Sequence, residues 1–396
     1  MNNLFYICNA LDDTTRLERG IVTDSPAASR KIFLLCRAMS KVGVHAWVIS
    51  LGRGRQDGSG RFFKCKVCRV NGVAVIYLPF LHTPILSELL SLVSIIPLLW
   101  RMRRIKGNKA ALFYNRMPAY LLGLALARLL QFRTILDLED GEISSKKWSS
   151  ARAKSRFLNF VFDSLCSGGA LLACSALEGM TRLRPTLSCY GACEVSSFES
   201  DRNKLPVTVL LSGTVALNTG AQLLIDAIKI LRQEAPPWAV NIKFEISGKG
   251  DCLPQFESLA NDDIKPSVIL HGRITDEEYQ QVLARAKIGL ALKPNSGVLA
   301  HTTFPSKVIE FASQGILVIT TDISDVRKVL GDGAIYLTED NPRQLIEKFQ
   351  WIMENIAEAN NLAALGERSV KTFCEPETVG RQLGRFLFGS PEGRNN

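Results

Sequence analysis

Short apolar runs alternate along the chain with longer segments in which apolar residues recur every three or four positions. A short apolar run is typical of a buried strand, and the longer recurrence is typical of a helix. In the first half the pattern predicts strands at 4–8, 44–50, 73–78, 110–114, 133–138 and 171–175. It predicts helices at 27–42, 86–104 and 120–130, and a fourth that begins in the basic stretch 146–156.

The same alternation returns after a polar segment at 195–206, which predicts a domain boundary there. The second half predicts strands at 207–211, 241–247, 268–271, 288–292 and 316–320, and helices at 220–231, 252–260, 276–286, 306–313, 342–355 and 376–388. Strands and helices that alternate with short connections build parallel sheets. We therefore expect the α/β class, with two doubly wound domains facing across a cleft. Because ligands bind at the carboxyl ends of such strands, that cleft is the expected site.

Charge is unevenly distributed along the 396 residues, which carry a net charge of +10. Residues 1–200 hold 27 Lys and Arg against 14 Asp and Glu, whereas residues 201–396 hold 21 against 24. A basic half can face nucleic acid, an anionic membrane or a phosphorylated substrate. The predicted helix 86–104 has Ser87, Ser91 and Ser94 on one face and ends in a basic cluster. That cluster fits membrane contact about as well as an ordinary solvated helix end.

The ten cysteines are scattered and often lie in apolar runs, which indicates reduced thiols in a cytoplasmic protein. Cys65 and Cys68 form a lone CxxC without further ligands at matching spacing, so we expect no metal site. We see no secretory signal. The longest apolar run, 85–100, has 16 residues, and about 20 are needed to cross a bilayer. We therefore expect no transmembrane helix and a soluble or peripheral protein.

The stretch 303–320 carries the most informative chemistry. Pro305 and Ser306 suit a helix start, where backbone N–H groups form an anion site. Lys307 adds a positive charge, and Glu310, three residues later, can lie on the same helix face. A carboxylate there can accept two hydrogen bonds from a ribose diol, so the stretch predicts a nucleoside diphosphate site. An alternative without a binding role stays open here: Lys307 and Glu310 could form an exposed ion pair on an ordinary helix.

This stretch resembles the donor-site signature of the family 4 glycosyltransferases, which have the GT-B fold with two Rossmann-like domains. The similarity continues through Leu211-Ser212-Gly213, Ser247-Gly248-Lys249-Gly250 and His271-Gly272-Arg273. It implies a metal-independent, cofactor-free, retaining enzyme that uses a nucleotide sugar. It assigns 1–195 to an acceptor-side domain, to which the final helix within 375–396 returns, and 205–372 to the donor domain. The donor-binding residues that the resemblance implies are Gly213, Thr214, Gly248, Lys249, Gly250, Arg273, Ile274, Pro305, Ser306, Lys307 and Glu310.

Three positions depart from the family pattern. The family usually has Arg and Lys, both in contact with the diphosphate, where this chain has Thr214 and Thr219. The first acid of the family's Glu pair is replaced by Thr302. Phosphate charge must then come from Lys307, with Lys249, Arg273 and Lys293 as further candidates. The losses leave open a catalytically inactive nucleotide-sugar-binding partner.

A polar cluster, 137–142, follows a strand in the first half and is a candidate acceptor site. The acceptor-side residues predicted there and in nearby loops are Gly20, Asn115, Arg116, Glu139 and Asp140. Asp140 joins Glu310 and Lys307 as a predicted catalytic residue. Since loops of this kind are more often simply solvated, this is the weaker of the two predicted sites.

The basic half suggests a saccharide acceptor that is linked to lipid or belongs to a surface polysaccharide, at the inner face of the plasma membrane. The same fold also supports sugar-nucleotide 2-epimerases, which need no acceptor. A nucleic-acid-binding protein would explain the charge, but no aromatic stacking pattern or recognised binding motif accompanies it. We therefore expect no nucleic-acid partner.

Overall fold

The computed structural model describes residues 1–55, 62–141, 150–193, 205–295 and 298–389. The chain divides into a first unit, Met1–Ala192 with Glu375–Asn396, and a second unit, Cys193–Cys374. The described elements of the first unit, in chain order, are β1 Asn2–Cys8, α1 Asp13–Glu18, α2 Pro26–Lys41, β2 Val44–Ser50, β3 Phe62–Phe63, β4 Lys66–Val70, β5 Val73–Tyr77, β6 Phe80–Leu81, α3 Pro84–Met102, β7 Asn108–Tyr114, α4 Leu121–Leu129, β8 Arg133–Leu138, α5 Ser150–Leu165, β9 Ala170–Leu172 and β10 Thr186–Ser188.

The elements of the second unit are β11 Val207–Thr214, α6 Ala221–Glu234, β12 Ile242–Lys249, α7 Leu253–Asn261, β13 Ser267–Gly272, α8 Asp276–Arg285, β14 Ile288–Ala291, α9 Val298–His301, α10 Lys307–Ser313, β15 Leu317–Thr321, α11 Val326–Leu330, β16 Ile335–Leu337, α12 Pro342–Glu354 and α13 Ile356–Cys374. A last helix, α14 at Pro376–Phe388, belongs to the first unit.

The main sheet of the first unit has the order β10-β9-β8-β7-β1-β2-β5-β4. Its strands are parallel except for β4, which pairs with β5 in the antiparallel sense. The chain runs outward from β1 through β2 on one side and through β7 and β8 on the other. The strand order therefore reverses between β1 and β7, which is where such sheets bind ligands.

The sheet of the second unit has the order β13-β12-β11-β14-β15-β16 and is parallel throughout. Its core strands are continuous apolar runs because helices cover both faces of a parallel sheet. Val209, Phe244 and Ile288 are fully buried in this core. The order reverses between β11 and β14, so the end of β11 is the expected binding position.

The final helix completes the core of the first unit. Val379, Leu383 and Leu387 of α14 lie in the same buried cluster as Leu35 and Met39 of α2. The two helices approach closely, since a Cβ on Gly380 of α14 would overlap the carbonyl oxygen of Ala38. The C-terminal helix thus has a structural place in the first unit, about 180 residues along the chain from the rest of it.

Helix α3 bears on the expectation that the chain has no transmembrane helix. Among the described residues one window, Ile85–Met102, is long and apolar enough to cross a membrane, with a mean hydropathy of 1.6. The helix continues through Glu88 and Pro97 to Met102, so it is longer than the 16-residue apolar run of the sequence. The expectation of no transmembrane helix stays a prediction. About a quarter of the window, 28%, is buried in the fold. By length and composition alone, core helices pass this test as well.

Candidate functional site

The carboxyl end of β11 carries the residues that the sequence singled out in the second unit. Ser212 and Gly213 lie at that end, next to the point where the strand order reverses. Helix α10, which begins at Lys307, packs beside β14 and β15. A Cβ on Gly213 would lie 3.3 Å from Cε of Lys307. The predicted lysine therefore lies directly against the predicted glycine, although 94 residues separate them.

Four side chains form a hydrogen-bonded cluster over this strand end. Lys307 Nζ lies 2.5 Å from Glu310 Oε2 and 2.9 Å from the phenolic oxygen of Tyr279. The Tyr279 hydroxyl also lies 3.1 Å from Glu310 Oε2 and 2.8 Å from Ser212 Oγ. The Lys307 ammonium stands 4.7 Å from the centre of the Tyr279 ring, which favours it through the ring quadrupole. We call Ser212, Tyr279, Lys307 and Glu310 the donor cluster.

The donor cluster combines charge with partial burial. The Lys307 side chain is 22% exposed and that of Glu310 is 16% exposed, so both can reach a ligand while remaining ordered. Burial, followed by the nearby Glu310 charge, raises the pKa of Tyr279, which keeps its hydroxyl protonated. The cluster therefore offers an ammonium, a carboxylate and a neutral hydroxyl. This set suits a ligand that bears both an anionic group and a diol.

Sequence reasoning missed Tyr279, and it marked Ser212 only as part of the motif at the end of β11, not as a binding residue. Tyr279 is the fourth residue of α8, after a capping box formed by Thr275 and Glu278, and no motif marks it. It reaches the cluster because α8 leads into β14, at the point where the strand order reverses. Only the packed structure brings it to Lys307 and Glu310.

The start of α10 differs from the prediction. Ser306 adopts helical angles and makes no side-chain capping bond, so its predicted cap was wrong. The backbone N–H groups of Val308, Ile309 and Glu310 already donate to the carbonyls of Pro305 and Ser306. The Lys307 side chain is therefore the stronger positive feature of this helix start.

The loop after β11 explains how threonines fill the places of the family's cations. Thr219 Oγ1 lies 2.6 Å from the Thr214 carbonyl oxygen and accepts a hydrogen bond from the Ala216 N–H at 3.0 Å. These bonds fold the loop back on itself before α6 begins at Ala221. The hydroxyl closes the loop but supplies no charge for a phosphate.

The glycines of the second strand turn have a structural reason of their own. Gly248 has φ of 142°, and a Cβ there would overlap the carbonyl oxygen of Gly213. A Cβ on Gly250 would overlap the carbonyl oxygen of Val215. Both glycines allow β12 and its turn to approach the end of β11, which accounts for them without a ligand. Lys249, Arg273 and Ile274 are half-buried near the ends of β12 and β13.

A second cluster lies at the strand ends of the first unit. Asp137 of β8 is fully buried and bonds with the hydroxyl of Tyr6 of β1. Glu139, just after β8, forms an ion pair with Lys31 of α2. We call Tyr6, Lys31, Asp137 and Glu139 the acceptor cluster. It lies beside the reversal of strand order between β1 and β7, so both sheets place polar groups where their topology favours ligands.

The electrostatics of the acceptor cluster are dominated by burial. Burial, and then the charge of Glu139, raises the pKa of Asp137 well above its usual range. Burial alone would lower the pKa of Lys31, but the charges of Glu139 and Asp137 outweigh it and hold that pKa above its usual value. The expected state at neutral pH is therefore a protonated Asp137 beside a charged Lys31. One oxygen of Asp137, Oδ1, is buried and has no hydrogen-bond partner in the described part of the chain.

The predicted acceptor-side residues fall into different surroundings. Asn115, with φ of 57°, accepts the Glu139 N–H through Oδ1 at 2.8 Å and so fixes the start of the loop. Asp140 is exposed. Arg116 instead bonds with Asp163 at 3.1 Å and the Met180 carbonyl at 3.0 Å, which accounts for it structurally. Gly20 ends α1 with φ of 61°. Glu142 lies outside the described residues.

No group of three or more His, Cys, Asp or Glu that could hold a metal ion occurs among the described residues. Cys65 is exposed just before β4, and Cys68 lies within that strand. The CxxC thus spans the start of an edge strand of the first sheet.

Part of the chain is similar to a known protein family. Residues 206–355 match the family model described as glycosyl transferases group 1. The match lies within the second unit and includes the whole donor cluster. A search among curated proteins finds no match.

Solved structures match the fold of nearly the whole chain. Sucrose-phosphate synthase (tll1590) from Thermosynechococcus elongatus aligns with a TM-score of 0.67 and 12% identity, over 97% of this chain and 98% of that one. Anabaena Alr3699/HepE in complex with UDP-glucose gives 0.65 and 13%, over 98% and 99%. WaaG, a glycosyltransferase involved in lipopolysaccharide biosynthesis, gives 0.59 and 12%, over 98% and 100%. The predicted α/β architecture of GT-B type is thereby confirmed.

Proposed function

We propose that the protein is a glycosyltransferase that moves a sugar from a nucleoside-diphosphate sugar to a saccharide acceptor, with retention and without a metal or other cofactor. The donor cluster is the observation that carries the proposal. It lies at the reversal of strand order in a unit that matches the group 1 glycosyl transferases. In the proposed complex, Lys307 binds the diphosphate and Glu310 accepts hydrogen bonds from the ribose diol.

The ligand would exchange partners within the donor cluster. In its absence Lys307 and Glu310 neutralise each other at 2.5 Å. A diphosphate offers Lys307 a stronger anion, and the diol offers Glu310 two donors, so both groups keep hydrogen bonds when the ion pair opens. As the bond between sugar and phosphate breaks, negative charge grows on the leaving diphosphate. The Lys307 ammonium would stabilise that charge more than it stabilises the bound donor.

The acceptor would be held by the first unit, where Glu139 and Asp140 follow β8. The excess of positive charge in residues 1–200 supports an acceptor at an anionic surface, such as a lipid-linked saccharide or a growing surface polysaccharide. On the same ground we propose a peripheral position at the inner face of the plasma membrane. We propose no nucleic-acid partner.

The proposed contact between Glu310 and the ribose can be tested from both sides, with a substitution of Glu310 and with a nucleotide that lacks the 2′-hydroxyl. Binding of UDP, GDP and ADP is first ranked by thermal shift, and the best nucleotide is compared with its 2′-deoxy analogue by calorimetry. We expect the wild type to bind the ribonucleotide about tenfold more tightly, since a hydrogen bond to a charged group contributes about 1.5–3 kcal/mol. Glu310→Ala should abolish that difference. Glu277→Ala, on the exposed side of α8, is the matched control and should preserve it.

Nucleotide sugars then test the reaction. Release of the free nucleotide from the sugar donor, stimulated by an added saccharide acceptor, would support transfer, and the anomeric configuration of the product tests retention. Equal affinity for the two nucleotides in the wild type would contradict the role of Glu310. Absence of any nucleotide binding would overturn the proposal.

One observation favours a second candidate, an inactive nucleotide-sugar-binding protein. The Thr219 hydroxyl closes the loop after β11 where the resembling family supplies cations. Such a protein would bind the nucleotide sugar through the donor cluster, but it would neither hydrolyse nor transfer the sugar. Turnover distinguishes the two: an inactive protein should bind the nucleotide sugar in calorimetry but release no free nucleotide from it, with or without a saccharide acceptor.

A further inference from the structure

Helix α3 presents its apolar side to the outside of the first unit. Two opposite stripes run along the helix. The buried stripe includes the hydroxyls of Ser87 and Ser91, together with Ile95 and Leu99. The exposed stripe, spaced by three or four residues, consists of Ile85, Leu89, Val93, Ile96 and Trp100. The exposed stripe is the reverse of what a water-facing helix side shows, because its residues are large and apolar whereas the polar Ser87 and Ser91 lie inside.

The hydroxyls of the two buried serines, Ser87 and Ser91, make few hydrogen bonds with the rest of the fold. Ser91 Oγ donates to the Ser87 carbonyl of the same helix at 2.8 Å. The Ser87 hydroxyl is buried and has no hydrogen-bond partner among the described residues. Their burial therefore does not explain why the opposite side is apolar. An exposed apolar stripe that extends over a 19-residue helix indicates a surface that meets another apolar phase.

Neighbouring helices extend the apolar surface. Helix α4 packs against α3, and α5 packs against α4. Leu122 and Leu129 of α4 are 46% and 76% exposed, and Phe157 and Phe160 of α5 are 58% and 68% exposed. The outer helices of this part of the first unit thus carry several large apolar side chains that the fold leaves in water.

Positive charge borders the exposed stripe. Arg101, Arg103, Arg104 and Lys106 are exposed at the carboxyl end of α3 and just beyond it. The Arg103 guanidinium lies 3.8 Å from the centre of the Trp100 ring. Tryptophan with an adjacent cation suits the boundary between lipid headgroups and acyl chains. Glu88 is the only acidic residue of the helix. The charge pattern therefore complements an anionic surface.

The inner face of α3 limits how the helix can meet a membrane. A Cβ on Gly123 of α4 would lie 2.8 Å from Cδ1 of Ile95, so the two helices are in close contact. Crossing a bilayer would expose Ser87 and Ser91 to lipid and remove α3 from the first unit. Only the outer stripe is available while the unit stays folded. The helix can then lie in the plane of the interface with that face inserted.

We propose that α3 is a membrane-docking helix, which inserts its outer stripe into an anionic lipid bilayer while its terminal arginines bind lipid phosphates. The inference rests on the membrane partner of the proposed function and names the surface that carries it. It does not depend on sugar transfer, so nucleotide binding and membrane binding can fail separately. A second copy of the chain is the competing occupant of an apolar helix face.

Flotation of the full-length protein with vesicles tests the proposal. We compare vesicles of phosphatidylglycerol and phosphatidylcholine with vesicles of phosphatidylcholine alone, at 50 mM and 500 mM NaCl. We expect binding to the anionic vesicles that weakens at the higher salt concentration. Leu89→Ser with Val93→Ser should reduce the partition coefficient at least tenfold, because two inserted side chains are lost. Arg101→Gln, Arg103→Gln and Arg104→Gln together should reduce it about a hundredfold on anionic vesicles.

Matched controls lie in the second unit. Val240→Ser with Ile264→Ser changes two exposed apolar residues, and Arg327→Gln, Lys328→Gln and Arg343→Gln remove three basic ones. Both sets should leave flotation unchanged. Quenching of Trp100 by brominated lipid gives a direct readout, with Trp100→Phe as its blank. Far-ultraviolet circular dichroism and thermal melts show that each variant still folds.

The proposal is overturned if the wild type does not float with anionic vesicles at low salt, or if the α3 variants float as well as the controls. Light scattering, which measures the molar mass in solution, tests the alternative that a second copy of the chain binds the exposed stripe. A dimer in solution that Leu89→Ser and Val93→Ser convert to a monomer, without vesicle binding by either form, would assign the stripe to a second copy of the chain.

Discussion

Tyr279 holds Lys307 at the end of β11, with 2.9 Å between its phenolic oxygen and the lysine Nζ. The two residues lie on different helices, α8 and α10. Since the same hydroxyl also reaches Glu310 and Ser212, it fixes both charged side chains before a ligand arrives. Preorganisation of this kind lowers the cost of ordering side chains on binding.

Removing that hydroxyl should weaken nucleotide binding while preserving the fold. Tyr279→Phe keeps the buried ring but loses the hydroxyl contacts with Lys307, Glu310 and Ser212. The contact that positions Lys307 contributes about 1 kcal/mol, so we expect about a fivefold rise in Kd by calorimetry. Tyr336→Phe is the control, because its hydroxyl donates to the Gly331 carbonyl elsewhere in the same unit. An equal loss of affinity in both variants would show that the Tyr279 contact does not act locally.

The glycine turn after β12 should tolerate substitution less well than the one after β13. Gly248 and Gly272 both have positive φ, at 142° and 63°. A Cβ on Gly248 would overlap the Gly213 carbonyl, whereas one on Gly272 meets nothing within 4 Å. Gly272→Ala should therefore lower the free energy of unfolding by about 1 kcal/mol through backbone strain alone. Gly248→Ala should lower it by about 3 kcal/mol or more in urea titrations, and similar losses would refute the overlap.

The stability of the first unit should depend on pH through Asp137. Its folded pKa is raised by burial and by Glu139, so the folded chain keeps a proton that the unfolded chain releases above about pH 4. Stability must then fall as pH rises from about 4 toward the raised pKa, by at most about 1.4 kcal/mol per pH unit. Asp137→Asn should flatten this decline.

Urea unfolding at pH 4.5, 6 and 7.5 measures the effect. Asp140→Asn is the control, because Asp140 is exposed on the same segment, and it should keep the decline of the wild type. An unchanged slope in Asp137→Asn would mean that Asp137 is ionised in the folded protein.

A buried carboxylate should stabilise the second unit. Glu245 is fully buried and lies 2.7 Å from Arg285 Nη2, 2.8 Å from His271 Nε2 and 3.1 Å from Lys243 Nζ. Glu245→Gln leaves Arg285 and Lys243 without their anion and weakens the hydrogen bond with His271. Since the Arg285 side chain is 38% exposed, we expect a loss of about 2–4 kcal/mol, toward the low end for buried pairs.

The same residue predicts an acid-sensitive stability. Burial would raise the pKa of Glu245, but hydrogen bonds from His271, Arg285 and Lys243 outweigh it and hold that pKa well below the usual range. Its contribution is present above the unfolded value, near 4.3, and is lost as pH falls further. Glu245→Gln should therefore reduce the acid slope in thermal melts between pH 5 and 3. Glu257→Gln, which is exposed on α7, should not.

Apolar runs predicted the central strands well, because a parallel sheet buries both faces and leaves a continuous signal. Helix α13, Ile356–Cys374, escaped prediction. Its buried positions are Ala359, Ala363, Gly366, Val370 and Cys374, whose spacing is helical but whose side chains are mostly small. Small residues bury little apolar area, so the periodicity is too weak to see in the sequence.

The sequence predicted those residues of the candidate site that belong to a motif or follow a strand, and it did not predict the others. Lys307, Glu310 and Gly213 could be named because the motif and a strand end mark them. Tyr279 and Lys31 could not, because each reaches its cluster from a separate helix and has no motif of its own. The Ser306 cap failed because the residue adopts helical angles, a choice that the sequence leaves open.

Helix α14 also has a consequence for the order of synthesis. The second unit is continuous in the chain, whereas the first lacks α14 until residue 388 has left the ribosome. Until then the side of α2 that contains Leu35 and Met39 remains uncovered. During synthesis the second unit would thus be complete before the first. A chain that ends after residue 374 would leave this apolar face of α2 exposed, where chaperones can bind it.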